Sequence, residues 1–121
     1  MSDGRRLTVL VCGGREYVDL DHVYRVLDEV RPTRVVCGGA TGADSLAESW
    51  ADDRGVDKAV YPADWEKYGR RAGVIRNAEM LIREEVDLVV AFPGGKGTSD
   101  MVSRAVKRGI AVQRSFMFTP H

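Results

Sequence analysis

The sequence has little of what would mark a membrane, secreted or metal-dependent protein. No apolar run approaches the roughly 20 residues that a membrane-spanning helix needs. The start, Met1-Ser2-Asp3-Gly4-Arg5-Arg6, is basic, but the apolar stretch behind it is too short for a signal peptide. A cytoplasmic protein is the expectation. Cysteine is scarce: Cys12 and Cys37 make up the whole complement, too few for a disulfide scaffold, and both read as reduced, buried thiols. The histidines, His22 and His121, are isolated, so no metal site is expected, and no cofactor either. Nor is there an excess of either charge, because 18 Lys and Arg balance 18 Asp and Glu. A dedicated nucleic-acid binder usually carries a basic surplus, so nucleic acid is not an expected partner.

What the chain does contain is enough apolar material for one core. Its 121 residues are 44% hydrophobic and 30% charged, the size and balance of a single domain spanning 1–121. Short apolar runs alternate with helical periodicity. Leu7–Cys12 is almost wholly apolar and β-rich, as in a strand buried on both faces of a parallel sheet. Val23, Val26, Leu27 and Val30 then repeat at helical spacing, with Asp19 or Asp21 as N-cap and Pro32 beyond the end. Arg34–Cys37 is a second strand. A second helix follows with Ala43, Leu46, Ala47 and Trp50 on one face, ending at Gly55. Lys58–Tyr61 reads as a third strand and the polar stretch 62–71 as a loop.

A third helix carries Ile75, Ala78, Leu81 and Ile82 on its expected buried side, and Asp87–Phe92 is a fourth strand. A fourth helix, with Met101, Val102 and Ala105 inward, is capped by Gly109, and Ile110–Val112 is the fifth strand. Strand–helix alternation of this kind predicts an α/β, three-layer Rossmann-like fold. Its sheet would be five-stranded and parallel, in order 3-2-1-4-5, with helices on both faces. The core would occupy about 7–114. The tail 115–121 includes Phe116-Met117-Phe118, an apolar run with no partner in its own sheet, which points to a homodimer.

In such a sheet ligands bind beyond the carboxyl ends of the strands, where strand order reverses. The loops after strands 1, 2 and 4 all carry adjacent glycines: Gly13-Gly14, Gly38-Gly39 and Gly94-Gly95. The first two even echo each other, Val11-Cys12-Gly13-Gly14 recurring as Val36-Cys37-Gly38-Gly39. Opposite-edge loops show no such enrichment, and this one-sidedness marks a site. Gly94-Gly95-Lys96-Gly97-Thr98, with Pro93 before it, runs into a helix whose free N–H groups and partial positive charge suit phosphate. It is not a P-loop, since position 90 is Val and Gly97 follows Lys96; nor does a G-x-G-x-x-G follow strand 1. Gly38-Gly39-Ala40-Thr41-Gly42-Ala43-Asp44 is a second glycine loop entering a helix. Asp44 there is either a cap or a holder of a ribose hydroxyl or ligand amine, and spacing does not choose. Arg15 after strand 1 and Arg76-Asn77 in the third helix are candidate phosphate partners, because guanidinium binds phosphate bidentately. Trp65 and Tyr68 either stack on a base or cover a core edge.

At these loops the sequence closely resembles the SLOG superfamily, in its YspA, cpYpsA-related branch. The matching segments are Val11-Cys12-Gly13-Gly14-Arg15-x-Tyr17, Gly38 to Asp44, Pro62-Ala63-Asp64-Trp65, Gly73-x-x-Arg76-Asn77, and Phe92 to Thr98 with Asp100-Met101. The resemblance implies a Rossmannoid domain that binds nucleotides or nucleotide-derived ligands, and relatives that often dimerise near the ligand. A more distant branch, the Lonely Guy phosphoribohydrolases, cleaves the base–ribose bond of nucleoside monophosphates with the motif Pro-Gly-Gly-x-Gly-Thr-x-x-Glu and an arginine from an earlier helix. Here Met101 occupies the Glu position, and Asp100 stands one residue earlier, about 100° around the helix. DprA proteins, also related, bind single-stranded DNA.

Three readings follow. The first is a module that senses or sequesters a phosphorylated nucleotide ligand at Gly13, Gly14, Arg15, Gly38, Gly39, Thr41, Asp44, Arg76, Asn77 and Pro93 to Thr98. The second is a nucleoside monophosphate N-glycosidase using Arg76 with Asp100 or Glu79. The third is a DNA-associated module.

Overall fold

The computed structural model describes residues 6–115, and the Phe116-Met117-Phe118 run lies outside them. Five strands, β1 (Thr8–Cys12), β2 (Arg34–Cys37), β3 (Asp57–Val60), β4 (Leu88–Ala91) and β5 (Ala111–Arg114), form one sheet in the order β3-β2-β1-β4-β5. Every pairing is parallel. The helices are α1 (Leu20–Val30), α2 (Ala43–Arg54), α3 (Trp65–Tyr68), α4 (Ala72–Arg83) and α5 (Lys96–Lys107). The predicted fold class and strand order are those of the structure. Among the described residues no helix is long and apolar enough to cross a membrane.

The two-residue period of the strands builds the layers. Val9, Val11, Val35 and Val90 point to one face, where Val23, Val26 and Leu27 of α1 and Ala43, Ala47 and Trp50 of α2 cover them. Leu10, Cys12, Val36, Val89 and Ala91 point to the other, against Met80 and Leu81 of α4 and Met101, Val102 and Ala105 of α5. Burying one such Val or Leu side chain stabilises the fold by roughly 1.5–3 kcal/mol. Asp19 caps α1, its carboxylate accepting the His22 N–H at 3.0 Å.

The structure corrects two local expectations. The stretch 62–71 is not a loop: Asp64 caps the single turn α3 by accepting the Lys67 N–H, and a 3₁₀ turn, Gly69–Arg71, leads into α4. One turn is too short for periodicity to reveal. On α4 the buried residues are Ala72, Asn77, Met80 and Leu81, while Ile82 is 71% exposed and Ile75 and Ala78 are only half-buried. Ile82 stands about 200° from Met80 around the helix, on the side away from the core that Met80 and Leu81 face. Polar Asn77 turns inward instead because its amide finds partners there. Smaller shifts place β3 one residue earlier than expected and β5 at Ala111–Arg114.

Candidate functional site

Between β1 and β4, where strand order reverses, a cavity of about 270 Å³ opens at the carboxyl edge. Its wall comes from the β1 loop (Cys12 to Arg15), the β2 loop and α2 (Gly38, Ala40, Asp44), α4 (Arg76, Asn77, Met80) and the start of α5 (Gly95, Gly97, Thr98). A second cavity, of about 350 Å³, adjoins it, with Arg15, Gly38, Ala40 and Arg76 lining both. A larger concavity of about 810 Å³ follows the outside of α1. It is a groove along one helix, where no strand end or glycine loop converges.

The three glycine loops interlock through backbone. The Gly14 N–H donates to the Pro93 carbonyl at 2.8 Å, and the Ala43 N–H to the Gly14 carbonyl at 3.1 Å. Gly42 has φ +79°, and a Cβ there would sit 2.5 Å from the Arg15 carbonyl group. A Cβ on Gly94 would come within 2.7 Å of the Gly14 nitrogen. For these residues chain packing alone demands glycine. Gly95 and Gly97 are different: beyond the adjoining residues and the backbone of its own helix, a Cβ at either would meet no atom within 4 Å, yet both line the cavity. They stand at the start of α5, whose N-cap Gly95 has no side-chain cap. The first helical bond there is Ser99 N–H to the Gly95 carbonyl at 3.0 Å, so the N–H groups of Lys96, Gly97 and Thr98 precede the ladder.

Asp44 is turned into its own loop. Buried to 6% exposure, it accepts the Gly38 and Ala40 N–H groups at 3.1 and 3.2 Å through one oxygen. Burial pushes its carboxyl above the ordinary value, against the pull of those N–H groups and of Arg76. Arg76 reaches from α4 into the space that Gly38 leaves by lacking a side chain. Its Nη1 donates to the Gly38 carbonyl at 2.6 Å and its Nε to Asn77 Oδ1 at 3.1 Å, and among the described residues Nη2 has no protein partner. Burial pulls the Arg76 guanidinium below its ordinary range, opposed by the Asp44 charge. Asn77 in turn donates to the Gly97 carbonyl at 3.1 Å and to Asp100 at 3.0 Å, tying α4 to the first turn of α5. Burial raises the thiols of Cys12 and Cys37 to about 12, so both stay protonated.

Gly13, Gly14, Arg15, Gly38, Asp44, Arg76, Asn77, Gly95, Gly97 and Thr98 therefore meet around one cavity, with Gly39 and Thr41 on its neighbour. Pro93 and Gly94 serve the loop contacts, and Lys96 is exposed outside both walls. Asp100 is held by Asn77 and by Arg104 Nε at 2.8 Å. Glu79 lies on a separate groove of α4, paired with Arg83 at 3.0 Å. The sequence reading left Pro62 and Ala63 out of its site, although they line the second cavity. Their position just past the third strand, at the same sheet edge, was the available signal.

Residues 7–68, about half of the chain, match the family described as the YspA, cpYpsA-related SLOG family. The Gene 61 protein of Mycobacterium phage D29 is 40% identical over 116 residues, covering 86% of this chain and 92% of that relative.

Proposed function

The chain belongs to the YspA, cpYpsA-related SLOG family, and from that premise we propose that its strand-end cavity binds a nucleotide or nucleotide-derived ligand, with a phosphate at the start of α5. Family membership itself suggests nucleotide-ligand binding in general. The observation that carries the placement is the pair Gly95 and Gly97, which no packing contact requires to be glycine. Bare backbone at an uncapped helix N-terminus offers N–H donors to an anion without a Cβ in the way. Arg76 Nη2, without a protein partner among the described residues, adds a charged donor to the same wall.

We read the module as one that senses or sequesters its ligand. Met101, at the position of the hydrolase glutamate, is fully buried in the core, Asp100 is held by Asn77 and Arg104, and Glu79 faces another groove. These placements favour binding over base–ribose cleavage. A cytoplasmic setting suits two buried free thiols.

The test is mass spectrometry of small molecules released from the purified protein, followed by calorimetry with pyrophosphate and nucleoside diphosphates. A protein that releases no phosphorylated species and binds none of these probes refutes the reading, and free base released from a nucleoside monophosphate would move it to the hydrolases.

A further inference from the structure

Trp65 is 47% exposed although it belongs to a capped turn with a fixed place in the fold. Its ring edge lies beside Gly73 of α4, one turn before Arg76, such that a Cβ added at Gly73 would come 3.6 Å from the indole. The indole lines the second cavity with Pro62 and Ala63, two further flat or small surfaces. Across the ring lies the Arg15 guanidinium, 5.0 Å from its centroid. Arg15 also lines the cavity at the start of α5, so its guanidinium borders both cavities, which share Gly38, Ala40 and Arg76 as well.

We propose that this second cavity takes the aromatic base of the ligand, stacked on Trp65, which makes the ligand class a nucleotide with its base intact rather than a phosphorylated sugar or free phosphate. The proposal rests on the phosphate site described above. The base occupies the indole face that Arg15 now covers, and the displaced guanidinium turns to the phosphates in the adjoining cavity. Guanidinium and base suit the same π-face, so the base takes the aromatic surface over which Arg15 lies. Base–aromatic stacking tolerates any base, so Trp65 selects for the presence of a base and not for its identity.

The two tryptophans make the test direct, because Trp50 is buried in the core between α2 and the sheet and Trp65 alone faces a cavity. Adenosine diphosphate, guanosine diphosphate and pyrophosphate are titrated by calorimetry and by tryptophan emission into the native protein, Trp65→Ala and Trp65→Phe. The expected result is that both nucleotides change the emission of the native protein and that Trp65→Phe abolishes this change while keeping most of the affinity. Trp65→Ala should weaken both nucleotides roughly ten- to a hundredfold and leave pyrophosphate binding as it was. Pyrophosphate bound normally, with nucleotides equally tight to the native protein and to Trp65→Ala, overturns base stacking and spares the phosphate site. Failure of all three probes to bind the native protein overturns the phosphate site and this inference with it.

Discussion

Replacing Gly97 by Ala should make the protein more stable and a poorer binder. Gly97 is the second residue of α5, its φ is not positive, and an added Cβ meets no atom within 4 Å beyond its chain neighbours and its own helix backbone. Nothing in the fold resists the methyl group. Alanine loses less backbone entropy on folding than glycine, and a helical site of this kind gains roughly 0.5–1 kcal/mol from the exchange. The same methyl group would stand on the cavity wall, between the α5 N–H groups and the ligand. If it displaces one charge-assisted bond, worth roughly 1.5–3 kcal/mol, affinity for a nucleoside diphosphate falls about ten- to a hundredfold. Urea unfolding reads the first effect and calorimetry the second. A variant that is more stable and binds as tightly as the parent refutes the placement of phosphate at α5. A variant that is less stable refutes the claim that packing leaves Gly97 free.

Arg76→Ala should weaken nucleotide binding about ten- to a hundredfold with the fold retained. Gly38→Ala should do much the same with the charge still present, since its Cβ would come 2.5 Å from Arg76 Cζ and expel the guanidinium; unchanged affinity in either variant sinks the role. Asp44→Asn should grow more stable relative to the parent as pH rises. The raised carboxyl favours the native state fully below its unfolded value of 3.8, and that contribution is lost as pH climbs through the folded value. Urea unfolding at about pH 3 and about pH 7 giving the same difference would contradict this. Single-stranded DNA should bind weakly or not at all at physiological salt, given 18 charges of each sign; submicromolar, salt-sensitive anisotropy binding would overturn it. Light scattering at micromolar concentration should give a dimer mass, and a monomer mass counts against the expectation drawn from the apolar tail. A dimer that survives deletion of 115–121 assigns the contact to another surface.

The architecture was legible because it is written in local pattern. Nearly continuous apolar runs at Leu7–Cys12 and Leu88–Phe92 mark strands buried on both faces, and helical spacing between the runs implies crossovers. The order β3-β2-β1-β4-β5 then places three glycine-rich loops at one edge. Where local pattern misled, tertiary partners had intervened. Ile82 is as apolar as Leu81, but the core takes only one side of α4, and Asn77 enters that side because Gly97 and Asp100 receive its amide.

The sequence by itself determined where ligand chemistry could gather, since a strand end rich in glycine declares its position along the chain. Only the tertiary structure decided what each residue there does. Gly14 and Gly94 answer to each other's backbone, whereas Gly95 and Gly97 face open space. Asp44 closes its own loop, and Glu79 and Asp100 pair with neighbouring arginines. Trp65 lies under Arg15, 50 positions earlier in the chain. Glycine is identical in both roles as a letter. The roles differ only in what lies within a few ångströms through space, and that distance is set by the packing of separate loops, which no local period encodes.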